Sequence, residues 1–167
     1  MPGLTWNRPL GDIRPGLRYL EVANEVAAVV AGETSRTARF ATTASLLMQG
    51  FAPRFFWCGF YEVDPLKRDE LVVGPYQGTL GCLRIPFGKG VCGECAIRRE
   101  SVIVPDVHAF PGHIACDSRS NSEIVVPVFD ARRELVAVLD VDSIEFAAFD
   151  ATDAEGLEHV CAAMMRG

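Results

Sequence analysis

The sequence predicts an α+β fold, with a mainly antiparallel sheet and helices packed on one face. Two segments with helical spacing of apolar residues come first, and segments with the two-residue alternation of strands follow. A last helical segment closes the chain. Since strands and helices are grouped in this way rather than alternating, antiparallel pairing is favoured over a parallel sheet.

Two amphipathic helices are predicted ahead of the first strand. The first covers Pro15 to Ala31, where a proline opens the segment and apolar residues recur every three or four positions. The second covers Thr34 to Gln49 and is ended by Gly50 and Pro53. A length of 167 residues predicts one domain over 1–167, in which residues 1–14 form an N-terminal extension.

The pattern becomes strand-like at Phe55. Phe55 to Val63 and Glu70 to Val73 predict a hairpin with its turn at Asp64-Pro65. Glycines and prolines punctuate Gly74 to Gly90, which predicts a broken strand or a loop.

The second half of the chain is predicted to hold the remaining sheet. A short helix is expected over Val91 to Glu100, and a short strand over Val102 to Val104. A long loop follows from Pro105 to Asn121. Glu123 to Phe129 and Glu134 to Asp142 then form a strand pair, and Asp150 to Met165 forms the last helix. A long loop in a small domain is usually functional or flexible.

The overall composition excludes some classes of function. Hydrophobic residues make up 49% and charged residues 23%, as in ordinary globular proteins. The formal net charge is −6, so no nucleic acid partner is expected. The first 20 residues hold no apolar run of signal-peptide length, and no stretch is long enough to span a membrane. We therefore expect a cytoplasmic protein with no membrane partner.

Three acidic residues are predicted to converge at the end of the strand pair. Asp140 and Asp142 are two positions apart on one strand and so share a face. A two-residue loop at Ala131-Arg132 or Arg132-Arg133 places Glu123 opposite one of them. A three-residue loop with a bulge would disturb this register. Converging carboxylates suit a bound cation, an ammonium group or a retained proton, and the alternative is that they are solvated at strand ends.

The chain has more cysteines than packing requires: they stand at positions 58, 82, 92, 95, 116 and 161. In a reducing compartment such a set is more often catalytic, redox-active or metal-binding than a disulfide framework. Cys58 and Cys161 lie in apolar segments and are interpreted as core residues. Cys82, Cys92 and Cys116 lie in or beside loops, where reversible disulfide chemistry is favoured.

A zinc site is an alternative interpretation of some of these residues. Cys92 and Cys95 form a CxxC pair, and His108 and His113 follow at finger-like spacing. The intervening Pro111-Gly112 does not suit a zinc finger, so we assign no metal ligands. The two histidines are interpreted as loop or surface residues.

Several motifs in fixed order resemble those of the free methionine-R-sulfoxide reductases, enzymes built on a single GAF domain. The matching block covers about Gly74 to Phe149, and Trp57 with Gly59-Phe60-Tyr61 extends it upstream. The motifs are Gly74-Pro75-Tyr76-Gln77-Gly78, Phe87-Gly88-Lys89-Gly90-Val91-Cys92-Gly93, Pro111-Gly112-His113-Ile114-Ala115-Cys116-Asp117, Ser122-Glu123-Ile124-Val125-Val126-Pro127 and Leu139-Asp140-Val141-Asp142-Ser143. The resemblance implies a GAF fold.

The resemblance also implies roles for individual residues. Cys116 corresponds to the nucleophile, and Cys92 or Cys82 to the thiol that resolves it. The three converging acids correspond to the ligand-binding acids of the family. Trp57 and Tyr61 correspond to its pocket aromatics, and core packing is the alternative interpretation of these two residues. Those five substrate-binding candidates are Glu123, Asp140, Asp142, Trp57 and Tyr61. Two positions depart from the family pattern, where Cys95 replaces a small residue without a thiol and Ala137 replaces a common glycine. The extra thiol leaves the resolving partner of Cys116 open among Cys82, Cys92 and Cys95.

The activity implied by the resemblance is reduction of free methionine (R)-S-oxide by a cysteine thiolate. The expected route passes through a sulfenic acid and an intramolecular disulfide, which thioredoxin reduces. No cofactor is implied. Members of the family often dimerise, and the N-terminal helices are a candidate interface for a homodimer; the alternative is that their apolar stripes face the core. The alternative is a GAF module that binds a small ligand and reports its presence without chemistry.

Overall fold

A six-stranded antiparallel sheet organises residues 15–166, the part of the chain that this computed structural model describes. The strands are β1 (Trp57–Val63), β2 (Glu70–Gln77), β3 (Arg84–Pro86), β4 (Val102–Val104), β5 (Ser122–Phe129) and β6 (Leu135–Ser143). They lie in the order β3-β2-β1-β6-β5-β4, and every neighbouring pair is antiparallel. The α+β prediction is confirmed.

Four α-helices accompany the sheet: α1 (Pro15–Val29), α2 (Arg36–Phe51), α3 (Gly90–Arg98) and α4 (Ala151–Met165). Side-chain caps explain where two of them begin. The Ser35 side chain accepts a hydrogen bond from the backbone N–H of Ala38 at the start of α2. Asp150 and Asp153 form a reciprocal capping box at the start of α4.

The sheet separates two layers of apolar packing. On one face α1, α2 and α4 cover a core that contains Phe40, Phe60 and Leu139, together with Cys58 and Cys161 as predicted. The prediction that helices pack on one face holds for these three. The short helix α3 lies on the opposite face, because its apolar side chains pack against Val125 and Val138, which alternate with the residues of the first core.

Strand β2 is longer than its sequence pattern predicted. It continues through Gly74-Pro75 to Gln77, although proline usually interrupts a ladder. The register against β1 shifts between Gly59 and Tyr61, so an extra residue of β2 is accommodated there as a bulge. A bulged residue needs no ladder hydrogen bond, which makes a proline acceptable inside the strand.

The long loop predicted after β4 is largely irregular. It holds a single 3₁₀ turn, Val107–Ala109, which the Asp106 side chain caps through the backbone N–H of His108. The predicted N-terminal extension, residues 1–14, lies outside the described residues. Among the helices of residues 15–166, none combines the length and the apolar character that crossing a bilayer requires.

Candidate active site

The three predicted acids come together where β5 and β6 end. Glu123 lies directly opposite Asp142, and Asp140 shares the face of Asp142 two residues earlier. Glu123 and Asp140 are buried, and Asp142 is partly buried. The prediction that the three carboxylates converge is confirmed, and the alternative of solvated strand ends is wrong for Glu123 and Asp140.

The loop that sets this register is a three-residue loop with a bulge, which we expected to disturb the register, and that expectation is wrong. The backbone N–H of Asp130 donates to the carbonyl of Glu134, so three residues form the loop, and Arg133 has a positive φ of 62°. A register shift between Val128 and Phe129 then adds one residue to β6. The odd loop and the bulge offset each other, which restores the pairing of Glu123 with Asp142.

Burial governs the electrostatics of the acid cluster. Removal from water raises the pKa of Glu123, Asp140 and Asp142 well above the usual carboxyl range, and the neighbouring carboxylates raise it further. Within residues 15–166, the Oδ1 atom of Asp140 has no hydrogen-bond partner. The cluster is therefore suited to retain a proton or to receive a cationic group.

Strand β1 supplies an aromatic wall beside the acids. Trp57 pairs with Asp142 across the strands, and its ring centroid lies 5.7 Å from that of Tyr61. The indole N–H of Trp57 donates to the carbonyl of Thr79 at 2.9 Å. A Cβ atom at Gly81 would lie 3.0 Å from both the Trp57 ring and the Tyr61 hydroxyl, so a side chain there would crowd this wall.

A disulfide joins Cys82 to Cys116, whose Cα atoms are 5.4 Å apart. It links the segment between β2 and β3 to the loop that precedes β5. Cys116 is exposed and Cys82 is half-buried, so the bond is accessible from solvent. The remaining four cysteines, at 58, 92, 95 and 161, are buried free thiols.

Cys92 is the free thiol nearest to the acids. The Sγ atom of Cys92 lies 4.0 Å from Oε1 of Glu123, and Cys92 is 3% exposed to solvent. Burial raises the pKa of Cys92 well above that of a free thiol, and the charges of Asp140 and Glu123 add to the shift. Cys92 is therefore a protonated thiol at neutral pH rather than a thiolate.

One cavity collects seven of the eight predicted site residues. Its lining includes Trp57, Tyr61, Cys92, Cys116, Glu123, Asp140 and Asp142, and Cys82 is attached to it through the disulfide. A disulfide sulfur, buried acids and an aromatic wall thus face a single space. This arrangement can hold a small zwitterion beside the sulfur atom of Cys116.

His113 lies in a loop, as expected, and it is also a lining residue of the cavity that the sequence did not single out. Its Nε2 atom lies 3.6 Å from Oε2 of Glu123, and burial lowers its pKa. The sequence did contain a signal for this position, because His113 stands three residues before Cys116 in the motif from Pro111 to Asp117. His108 is exposed as expected, and its Nε2 lies 2.8 Å from Oδ1 of Asn121.

Comparisons with known proteins show the family of the chain. The profile of the GAF domain matches residues 18–166. The free methionine-R-sulfoxide reductase of Escherichia coli strain K12 is 43% identical over 144 residues, which are 86% of this chain and 84% of that relative. The chain belongs to the free methionine-R-sulfoxide reductase family of GAF domains. It is accordingly an oxidoreductase by family.

Solved structures of this family share the fold. The free methionine-R-sulfoxide reductase of Neisseria meningitidis, solved in complex with its substrate, is 44% identical with a TM-score of 0.87. The match covers 99% of this chain and 95% of that one. A protein described as a GAF sensor, from Burkholderia vietnamiensis, is 43% identical with a TM-score of 0.85, over 92% of this chain and 94% of that one.

Proposed function

We propose that the protein reduces free L-methionine (R)-S-oxide to L-methionine, with Cys116 as the nucleophile. The observation that carries the proposal is the cavity in which Cys116 and the three acids meet, with Cys82 bonded to the same sulfur. The substrate and the preference for the R epimer come from the relatives, since the Escherichia coli protein carries that name.

The first step requires a thiolate and an acid together. The sulfur of a sulfoxide is a poor electrophile until its oxygen is protonated. The Cys116 thiolate attacks that sulfur while one protonated member of the acid cluster donates its proton to the oxygen. The protonated oxygen is transferred from the substrate sulfur to the Cys116 sulfur, so that the S–O bond of the substrate breaks as a new S–O bond forms. Methionine leaves with the electron pair of the bond that had joined its sulfur to Cys116, and Cys116 is thereby oxidised to a sulfenic acid. The raised carboxyl pKa values support an acid that still holds its proton at neutral pH.

The second step closes the disulfide. The Cys82 thiol attacks the sulfenic sulfur of Cys116, water leaves, and the disulfide forms. The bond between Cys82 and Cys116 supports Cys82 as the resolving thiol. Cys92 and Cys95, the other candidates, are buried free thiols, and Cys92 lies beside Glu123. Two electrons from an external dithiol of the thioredoxin type then reduce the disulfide, whose Cys116 end is exposed to solvent.

Selection of the free amino acid rests on its ammonium group. A peptide-linked methionine lacks that charge, whereas the ionised members of the Glu123, Asp140 and Asp142 cluster can receive it. A buried ammonium–carboxylate contact is worth roughly 2–5 kcal/mol when one partner is lost. The aromatic wall of Trp57 and Tyr61 packs against the S-methyl group, a contact worth about 0.3–1.5 kcal/mol.

Two further features belong to the proposal. We assign the protein to the cytoplasm, where a thioredoxin system keeps thiols reduced. We also propose a homodimer in which α1 takes part, because Leu17, Leu20 and Val29 of that helix are exposed. Sedimentation equilibrium of the wild type against Leu20→Glu tests the dimer.

The experiment that tests the function couples the protein to thioredoxin, thioredoxin reductase and NADPH. We expect NADPH consumption with free methionine (R)-S-oxide and little with the S epimer or with N-acetylmethionine (R)-S-oxide. Cys161→Ala, in the opposite core, serves as the control that retains turnover. Binding of methionine sulfoxide without NADPH consumption would instead support the ligand-sensing GAF module.

A further inference from the structure

We propose that the cavity is also an inhibitory Zn²⁺ site, in which Cys92, Glu123, Asp140 and His113 bind one ion. The sulfur of Cys92 and one carboxylate oxygen each of Glu123 and Asp140 lie within 4.8 Å of one another. All three residues are more than nine-tenths buried. The fourth ligand is close by, since Nε2 of His113 lies 3.6 Å from the second oxygen of Glu123.

An unpartnered oxygen points to a missing ligand at this place. Within the described part of the chain, Oδ1 of Asp140 is fully enclosed and accepts no hydrogen bond. A buried carboxylate oxygen without a partner costs free energy that a cation in the cluster would recover. One oxygen atom of the acid cluster is therefore both buried and without a hydrogen-bond partner.

The ligand types select the metal. Thiolate, imidazole and carboxylate together suit Zn²⁺, whereas Mg²⁺ and Ca²⁺ require oxygen ligands. Ligand atoms about 2.0–2.3 Å from a tetrahedral zinc ion lie roughly 3.3–3.7 Å from one another. The separations of at most 4.8 Å among the three buried ligand atoms therefore need only side-chain adjustments to close around an ion. The His113 ring, which lies 3.6 Å from Glu123, must swing towards the other two ligands to complete the set. On binding, the Cys92 thiol loses its proton to solvent and ligates as a thiolate.

This set differs from the finger-like set that the sequence suggested. The Sγ atom of Cys95 lies 3.7 Å from the carbonyl oxygen of Val125, and His108 lies beside Asn121 outside the cavity lining. The CxxC pair and the histidine pair therefore contribute one member each, Cys92 and His113. Glu123 and Asp140, which lie on β5 and β6, replace Cys95 and His108 as ligands.

Zinc in this position would exclude the substrate. The ion would use Glu123 and Asp140, which the proposed function assigns to the ammonium group and to proton donation. Cys92 is not part of the disulfide, so the site exists while Cys82 and Cys116 are oxidised. The inhibition rests on the proposed function, whereas the binding of the ion does not.

Calorimetric titration with zinc chloride tests the binding. The protein is used with its Cys82–Cys116 disulfide intact and without reductant, so no added thiol competes for the metal. We expect one ion per chain. The expected loss of affinity is more than about 100-fold in Cys92→Ser, because even residues behind metal ligands contribute about 10–100-fold. His113→Gln should also weaken binding, whereas Cys95→Ala and magnesium chloride serve as controls for the CxxC pair and for the choice of metal.

Unchanged zinc affinity in both Cys92→Ser and His113→Gln, or an equal loss in Cys95→Ala, would overturn the site. Cobalt substitution provides a second readout, since a Cys92 ligand gives a thiolate-to-cobalt absorption band that Cys92→Ser removes. His113→Gln keeps the test decisive if Cys92→Ser fails to fold. Turnover measured with a chelator present reports on the proposed function separately, so an active enzyme that binds no zinc would refute this inference alone.

Discussion

Thr79 donates a hydrogen bond of 2.7 Å from its hydroxyl to Oδ2 of Asp117. This contact joins the two loops that carry the disulfide, because Thr79 stands three residues before Cys82 and Asp117 follows Cys116 directly. Arg119 also contacts Asp117, and its hydrogen bonds keep the pKa of that carboxyl well below the usual range. The carboxylate therefore stays ionised and continues to accept from Thr79.

Thr79→Val should slow closure of the disulfide more than it slows the reduction of substrate. Loss of one hydrogen bond costs about 0.5–1.5 kcal/mol, which predicts a roughly 2- to 10-fold slower closure if the contact holds Cys82 near Cys116. Thr79→Ser keeps the hydroxyl and should behave as the wild type. Quenched-flow counting of free thiols after one equivalent of methionine sulfoxide measures the rate. Equal rates for the valine and serine variants would show that the contact has no positioning role.

Asp142→Asn should weaken binding of the free amino acid more than it slows the chemical step. A loss of about 2 kcal/mol, the lower end for a buried charge contact, predicts a KM at least about 30-fold higher. Steady-state kinetics with free and N-acetylated substrate separate the two effects, since the acetylated form has no ammonium group to lose. Asp69→Asn, at an exposed acid, is the control. An unchanged KM in Asp142→Asn would remove this acid from substrate recognition.

The acid cluster should make the stability of the protein depend on pH. Because folding raises the carboxyl pKa of Asp140 from about 4, the folded state binds more protons than the unfolded state above that pH. The free energy of unfolding therefore falls as the pH rises from about 4 towards the raised pKa. Asp140→Asn removes one of these groups, so its Tm relative to the wild type should increase between pH 5 and pH 8.

Thermal unfolding followed by circular dichroism measures this difference at each pH. Asp69→Asn serves again as the control, because Asp69 is exposed and lies outside the acid cluster. A constant difference for Asp140→Asn would show that Asp140 ionises in the folded protein as it does in the unfolded chain. A difference that shrank as the pH rose would give the opposite sign and contradict the burial argument.

The sequence predicted the site better than it predicted the loops around it. Period-two alternation placed Asp140 and Asp142 on one face, because that rule depends only on the backbone of a strand. The predicted pairing of Glu123 with Asp142 is correct, but the two-residue alternation of the strands does not contain the reason for it. The loop has an odd number of residues and a bulge offsets it, and no local residue preference announces such a compensation.

Contacts between distant segments were harder to predict. The partner of Cys116 stayed open among Cys82, Cys92 and Cys95, since nothing in the spacing measures the distance between two segments that are far apart in the sequence. The face covered by α3 and the approach of His113 to Glu123 are likewise set by tertiary packing. Resemblance to the family supplied the roles of the residues, which periodicity alone does not carry.

The amount of methionine formed in a single turnover without thioredoxin decides whether Cys116 is the nucleophile. Reduced Cys82→Ser should form about one methionine per chain and then stop with a sulfenic acid at Cys116, which dimedone labels for mass spectrometry. Reduced Cys116→Ser should form none and remain unlabelled. Methionine formation by Cys116→Ser at the rate of the wild type would contradict the assignment of the nucleophile.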